Sequence, residues 1–415
     1  MSERPQAPRG TYDVLPEQDA GRRAVEDASR RVLEGAGYQR IETPIFEHTE
    51  LFARGVGAST DIVQKEMYTF EDAGGRSLTL RPEGTAPVMR AYGEHGMQKL
   101  PQPVKVWYLG PFFRQEKPQA GRYRQFWQVG AEAIGSDDPA VDAEIILLLQ
   151  TVMSELGVGE VQLRLGSLGT PQTRADYRER LVGHLRANED RLSDDVRARI
   201  ELNPLRAFDA DHPGTREVMR DAPRLLDHLA PEDAEHFAEV RARLDAAGVE
   251  YRIDPTLVRG LDYYTRTLFE FTSERLGAQS GVGGGGRYDG LAQQLGLARI
   301  PGCGFAAGVE RLLLAGEQRA GGAGSAPVCD LYVAGSDVAA FALAAEARRA
   351  GLAVQLELAG RSRKGMLKQA DRTGARYVAI LGDQETILKD MESGEQEELA
   401  PDAIVAAVLK GRHLQ

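Results

Sequence analysis

Residues 257–264 read Leu-Val-Arg-Gly-Leu-Asp-Tyr-Tyr and set one guanidinium, Arg259, among apolar neighbours, with Tyr263 and Tyr264 close behind. An arginine cannot lose its proton and offers a planar fork of donors, which suits charge appearing on phosphate or carboxylate oxygens. Alone, the segment reads equally as an arginine at a turn before an ordinary strand. Four other segments also have a composition that plain core does not need. Residues 80–85, Leu-Arg-Pro-Glu-Gly-Thr, put Glu83 and Thr85 on a turn shaped by Pro and Gly, where both can accept hydrogen bonds from an ammonium group. A surface turn is the bland alternative.

Residues 113–132 run from Phe-Arg-Gln-Glu through a charged loop to Arg-Tyr-Arg-Gln-Phe-Trp-Gln-Val-Gly-Ala-Glu. Arg114, Glu116, Arg122 and Tyr123 belong to or flank the loop, and the aromatic Phe126 follows it. Fork donors for phosphate and a ring to stack on a base are what a nucleoside triphosphate needs. With strand alternation, Phe126, Gln128, Gly130 and Glu132 share one face. A basic surface hairpin is the alternative. Residues 283–289, Gly-Gly-Gly-Gly-Arg-Tyr-Asp, satisfy a dinucleotide fingerprint formally together with Gly281, but no buried strand leads into them. The glycines read instead as backbone passing close to a ligand, with Tyr288 beside them. Last, residues 302–312 form a glycine-studded strand entering a helix with Arg311 near its start, a place for an anion or a stacked base.

The chain has no P-loop motif, and none of its seven histidines lies in these segments. A histidine-driven triad or a metal centre is therefore not expected. A site of arginines, carboxylates, tyrosines and glycines stabilises charge at phosphorus and positions reactants.

The elements that must carry these residues follow from pattern. Residues 1–166 alternate helical stretches (17–35, 140–156) with strand-like runs (104–109, 161–165). Residues 167–255 lack lysine and show helical spacing throughout, with Phe237, Val240 and Leu244 at i, i+3, i+7. This predicts a helical insertion. Residues 256–315 return to strands and glycines, and the Gly/Ala/Ser-rich residues 316–327 read as a linker. Beyond them, strand and helix alternate over 328–415, which predicts a small α/β domain with a largely parallel sheet.

The 415-residue length allows two to three domains. Hydrophobic content of 42% and charged content of 27% describe a folded chain, and no apolar run approaches a membrane span. The first residues are polar without a signal-like stretch, and Cys303 and Cys329 are the only cysteines. A cytoplasmic location is expected. The net charge of −11 argues against a simple electrostatic nucleic-acid binder but leaves room for a local basic face. Residues 361–376 offer one, with Arg361, Arg363, Lys364, Lys368, Arg372 and Arg376 opposing only Asp371. A solvated helix face explains them equally well.

With these motifs in view, the chain resembles the histidine–tRNA ligases, which are class II aminoacyl-tRNA synthetases, over nearly its whole length. Residues 9–16 look like that family's opening, and Thr43-Pro44 through Glu47 like its dimer-forming motif 1. Residues 113–126 look like motif 2 and 304–311 like motif 3. Residues 257–264 and 284–289 resemble the two histidine-specific motifs, while residues 382–394 look shorter than the family's hairpin there.

The resemblance implies an α+β fold: an antiparallel sheet flanked by helices (1–166 and 256–315), the helical insertion, and an α/β anticodon-binding domain (328–415). It implies ATP as substrate with Mg²⁺, L-histidine and histidine tRNA as partners, and a homodimer. Arg114 and Arg259 would flank the α-phosphorus. Glu116, Phe126 and Arg311 would hold adenine, with Arg122 and Tyr123 also at ATP. Glu83, Thr85 and Gln128 would hold the α-amino group, and Glu132 and Tyr264 the imidazole, with Arg259, Tyr263 and Tyr288 alongside. Arg361, Arg363, Lys364 and Lys368 would touch tRNA. The rivals are a non-catalytic, histidine-sensing paralogue resembling the regulatory subunit of ATP phosphoribosyltransferase, and a pure RNA-binding module.

Overall fold

The structure, a computed structural model, describes residues 4–57, 60–257, 260–277, 280–316, 329–382 and 386–412. Two compact units divide the chain, Met1–Arg319 and Ala320–Gln415.

In the first unit, α1 (Pro16–Gly35) starts with a proline at a position that needs no N–H donor, and buries Val25, Ala28, Ser29 and Leu33 along one stripe. There follow β1 (Gln39–Arg40), β2 (Phe46–His48), α2 (Thr49–Gly55), β3 (Tyr68–Glu71), β4 (Ser77–Leu80) and α3 (Thr85–Glu94). The long strands β5 (Val104–Phe113) and β6 (Gln125–Ile134) precede α4 (Pro139–Glu155) and β7 (Val161–Ser167). The helices α5 (Pro171–Ala187), α6 (Asp194–Arg199), α7 (Pro213–Arg220) and α8 (Pro231–Ala246) come next. The unit closes with β8 (Arg252–Ile253), β9 (Thr265–Ser273), β10 (Gly281–Arg287), α9 (Leu291–Gln294), β11 (Gly302–Gly308) and α10 (Val309–Ala315).

Among the described residues the main sheet has eight strands in the order β1-β5-β6-β11-β10-β9-β7-β8. Its six central strands pair antiparallel, and only the two-residue edges β1 and β8 pair parallel. Because successive side chains alternate between faces, each strand splits its residues. Trp107, Val129, Ala131, Phe269, Phe271 and Phe305 join one core with residues of α1, α4, α8 and α10. Burying each large apolar side chain there contributes roughly 1.5–3 kcal/mol. The opposite face carries Tyr108, Phe112, Leu268 and the tyrosines 263, 264 and 288, backed by α3 and α9.

The helical segment divides between two cores. α5, α6 and α7 enclose their own, with Tyr177, Leu181, Leu185, Val196 and Val218. α8 instead turns Phe237, Val240 and Leu244 into the core of the main sheet. The glycine run 283–286 is itself strand β10, set between β9 and β11.

A buried ion pair fastens the back of this unit. Arg287, fully buried, donates through Nε to Asp142 at 3.1 and 3.2 Å, through Nη1 to Ser136 O (3.0 Å) and Asp289 (3.2 Å), and through Nη2 to Asp138 O (3.2 Å) and Asp142. Removing Asp142 leaves the buried guanidinium without its main charge partner, with only the single contact to Asp289 to offset it. Asp142→Ala is expected to cost about 3–5 kcal/mol of unfolding free energy, read by denaturant titration. A loss below about 1 kcal/mol would mean water reaches Arg287.

The second unit contains β12 (Cys329–Val333), α11 (Val338–Arg349), β13 (Val354–Leu356), α12 (Arg363–Arg372), β14 (Ala375–Leu381), β15 (Thr386–Asp390), β16 (Gln396–Leu399) and α13 (Ile404–Arg412). Its sheet runs β13-β12-β14-β15-β16, and the expectation of a largely parallel sheet needs correction. β13, β12 and β14 are parallel, whereas β15 and β16 return antiparallel. The connections after β14 and β15 are too short for the crossover that parallel pairing demands. Apart from Gly316, the expected linker lies outside the described residues. Among the described residues no helix is long and apolar enough to cross a membrane.

Candidate active site

A cavity of about 360 Å³ opens beside the tyrosine-bearing face of the main sheet, a volume suited to a small ligand. Glu83, Thr85, Arg114, Glu116, Arg122, Tyr123, Phe126, Gln128, Tyr263, Tyr264, Tyr288 and Arg311 all line it. Arg259 lies outside the described residues, and its neighbours Gly260 and Leu261 line the cavity.

Beneath the floor sits Glu132, 1% exposed. Its Oε1 accepts from the Thr85 hydroxyl at 2.8 Å and the Tyr108 hydroxyl at 3.3 Å, and its Oε2 from the Tyr288 hydroxyl at 2.5 Å. Burial pushes its pKa up to about 8, with these donors pulling the other way. Two glycines make the arrangement possible. A Cβ on Gly304 would fall 1.7 Å from Glu132 Oε2, and one on Gly130 would fall 2.3 Å from the Tyr108 ring. Gly304 and Gly130 thus make room for the protein's own side chains. Tyr108 was not foreseen from the sequence. Its even-numbered place on β5, shared with Val104 and Val106, was the available signal.

Glu83 is 4% exposed and caps α3: its carboxylate accepts from Thr85 N (2.8 Å) and Ala86 N (3.0 Å), and from the Tyr263 hydroxyl at 3.4 Å. Burial raises its pKa, partly offset by those amides. Thr85, read as an acceptor for an ammonium group, spends its hydroxyl proton on Glu132 and keeps lone pairs for a ligand. Gln128 Oε1 is buried and accepts no hydrogen bond from the described residues. An unsatisfied buried acceptor is costly unless something else supplies the donor.

The opposite end is cationic. Arg114 donates through Nε to Pro82 O at 2.9 Å, and its guanidinium lies 5.4 Å from the Phe126 ring centre. Glu116 sits between Arg114, at 3.7 Å, and Arg122, which donates to it. Arg311 spans the loop and the sheet, donating to Gly121 O (3.1 Å) and Gly281 O (2.5 Å).

Two carboxylates here also escaped sequence reading. Glu310, beside Arg311, accepts from Trp127 N, the Tyr12 hydroxyl (2.8 Å) and Arg22 (2.9 Å), so the N-terminal segment braces this end. Glu270 lines the cavity with Arg164 3.2 Å away. Among the described residues no group of three or more His, Cys, Asp or Glu could hold a metal ion.

The family model for histidyl-tRNA synthetase matches residues 10–312, most of the chain. The chain belongs to the histidyl-tRNA synthetase family.

A second model, an anticodon-binding domain, matches residues 334–411. The chain is 50% identical over 409 residues to the histidine–tRNA ligase of Halorhodospira halophila, covering 96% of each. It is 50% identical over 411 residues to that of Nocardia farcinica, covering 97% of each. The apo crystal structure of S. aureus histidyl-tRNA synthetase superposes with a TM-score of 0.80 at 37% identity, over 98% of this chain and 100% of that one. An ATP phosphoribosyltransferase regulatory subunit/histidyl-tRNA synthetase from Bacillus halodurans gives a TM-score of 0.63 at 24% identity over 88% of this chain and 96% of that one, a likeness of fold alone.

In the second unit, the basic run that sequence analysis singles out is less free than it reads. Arg361 donates to both oxygens of Glu357 at 3.1 Å, and Arg376 pairs with Asp390 at 3.0 Å and with Glu392. Arg363, Lys364, Lys368 and Arg372 are exposed on α12.

Proposed function

We infer that this chain ligates L-histidine to its tRNA through a histidyl-adenylate, consuming ATP and releasing pyrophosphate and AMP. Membership of a family that uses ATP, with relatives at half identity over nearly the full length, supports the reaction. The observation that carries the amino-acid assignment is Glu132: a carboxyl buried just beneath the cavity floor, with its hydroxyl partners Thr85, Tyr108 and Tyr288 lining the cavity, fits the ring nitrogens of an imidazole. An apolar side chain would leave it without a new partner, and a hydroxyl would bring one polar group where an imidazole brings two.

The remaining roles follow as parts of the same proposal. Gln128 Oε1 and the lone pairs of Glu83 and Thr85 receive the α-ammonium. The carboxylate of histidine then attacks the α-phosphorus, with Arg114 and Arg259 holding the charge that gathers on its oxygens. Phe126 and Arg311 sandwich the adenine while Glu116 receives its amino group, and Arg122 and Tyr123 border the phosphates. Mg²⁺ would be held chiefly by the phosphates, with Glu270 as a hard oxygen donor on the wall, and would supply charge neutralisation there. The protein works in the cytoplasm as a homodimer. Ile45, Phe46 and Phe70, each 43–51% exposed around the small sheet of β2, β3 and β4, present an apolar surface for a second copy.

Histidine-dependent exchange of pyrophosphate into ATP tests the reading. A protein that binds histidine without exchange would instead be a sensor, and one that binds only tRNA an RNA module. The exposed cations of α12 belong to tRNA binding, with Arg361 contributing less because Glu357 holds it. Deleting residues 327–415 is therefore expected to slow tRNA charging at least tenfold more than exchange, since the lost phosphate contacts matter only to tRNA. Equal charging by a folded, dimeric truncation would refute that assignment.

A further inference from the structure

Arg266, two residues beyond the tyrosine pair, adopts φ +46°, a left-handed conformation that side chains other than glycine rarely take. It lies at a bulge. Gly286 of β10 pairs with Leu268, yet the next residue, Arg287, pairs with Thr265, so Arg266 and Thr267 are extra on β9. Bulges re-aim the chain on either side of them. Here that chain is Tyr263-Tyr264-Thr265: both tyrosines line the cavity, and the Thr265 hydroxyl accepts from Asp289 N at 3.2 Å, beside Tyr288.

What holds the unfavourable conformation comes from the helical segment. Arg266 Nε donates to Asp233 Oδ1 at 2.9 Å, and Asp233 is fully buried in the first turn of α8. The other oxygen, Oδ2, accepts from Thr170 N (2.7 Å), the Thr170 hydroxyl (3.0 Å) and the Thr173 hydroxyl (2.6 Å), at the start of α5. The backbone is tied as well: Arg266 N donates to Gly169 O at 2.8 Å, and Leu168 N to Arg266 O at 2.7 Å. One carboxylate thereby joins the first and last helices of the segment to the bulge. Such conformations persist only where the surroundings over-determine them.

We propose that the Asp233–Arg266 pair is a positioning latch, through which the helical segment holds the bulge that aims Tyr263 and Tyr264 into the amino-acid end of the cavity. The proposal rests on the histidine-binding reading and assigns the segment a part in it. Neither residue touches substrate; both act through the tyrosines.

The test compares Arg266→Gly, Arg266→Lys and Asp233→Asn with the unaltered protein. Glycine is at ease at φ +46°, so Arg266→Gly removes the latch without adding strain and leaves Asp233 its three threonine donors. Direct titration calorimetry of histidine should show Kd raised about tenfold by Arg266→Gly, because a small misplacement of positioning groups is costly. Asp233→Asn should move it the same way, and Arg266→Lys, which keeps a cation in reach of the carboxylate, should lie between. The KM for ATP in exchange should change less than about threefold, since the latch lies at the other end of the site. A purely structural role would lower the melting temperature without separating the two ligands. Histidine Kd within about twofold of the unaltered protein for both Arg266→Gly and Asp233→Asn, or equal losses for histidine and ATP, would overturn the latch. Unaltered protein that binds histidine but catalyses no exchange would sink the enzymatic reading instead, and the Kd comparison would still decide the latch.

Discussion

Replacing Arg259 by alanine is expected to slow histidyl-adenylate formation by on the order of a hundredfold or more, with the KM for histidine changing far less. The α-phosphate gains negative charge as the carboxylate attacks, so a fixed cation at its oxygens stabilises the transition state more than the bound substrates. Lysine should restore little, because a point ammonium does not reproduce the planar fork. Rapid-quench measurement of adenylate formation separates this step from product release. A near-normal rate for the alanine variant would remove Arg259 from the mechanism and leave Arg114 as the cation at phosphorus.

Glu132→Gln is expected to lower kcat/KM for histidine by roughly 10- to 200-fold, the worth of about 1.5–3 kcal/mol for a buried charge-assisted hydrogen bond. ATP affinity should hardly move, and equal loss for both ligands would make Glu132 merely structural. Burial pushes its pKa up to about 8, which favours the protonated carboxyl near pH 7. Free imidazole titrates near 6.5, and the bound pair best holds one proton between its two groups, so histidine affinity should be highest between about pH 6.5 and 8. Above that range a proton must be taken up on binding, and below it one must be released. Calorimetry in buffers of different ionisation enthalpy reads both, and Glu132→Gln should abolish the alkaline fall. The same shift links folding stability to pH. The folded pKa lies above the ordinary 4.5, so this group's contribution is fully present below that value and is lost as pH rises through about 8.

Much of the site was legible in advance because its residues sit in short contiguous motifs. Arg114, Phe126, Gln128, Tyr264 and Arg311 declare themselves by type and spacing, and the structure brings them to one cavity. Less legible was which charged residues face inward for function and which for architecture. Arg287, inside a motif that reads as ligand-binding, points to the back of the sheet and is consumed by Asp142, Asp289 and two carbonyls. Arg361, at the head of the basic run, is likewise held by Glu357.

The sequence by itself determined the chemistry on offer, the amphipathic stripes of α1 and α8, the alternation of β5 and β6, and the family. All of these are written in residues within a few positions of one another. Only the tertiary structure decided what surrounds Glu132 and what holds Arg266. The hydroxyls on Glu132 come from 24, 47 and 156 residues away, and Asp233 is 33 residues from Arg266. Tyr108 and Tyr288 reach Glu132 through the strand order β5-β6-β11-β10, whereas Thr85 and Asp233 arrive on helices α3 and α8. Strand order depends on the burial of both faces of the whole sheet, which no local pattern contains. The raised pKa of Glu132 has the same origin, since a carboxyl titrates according to the water and donors that the completed fold leaves around it.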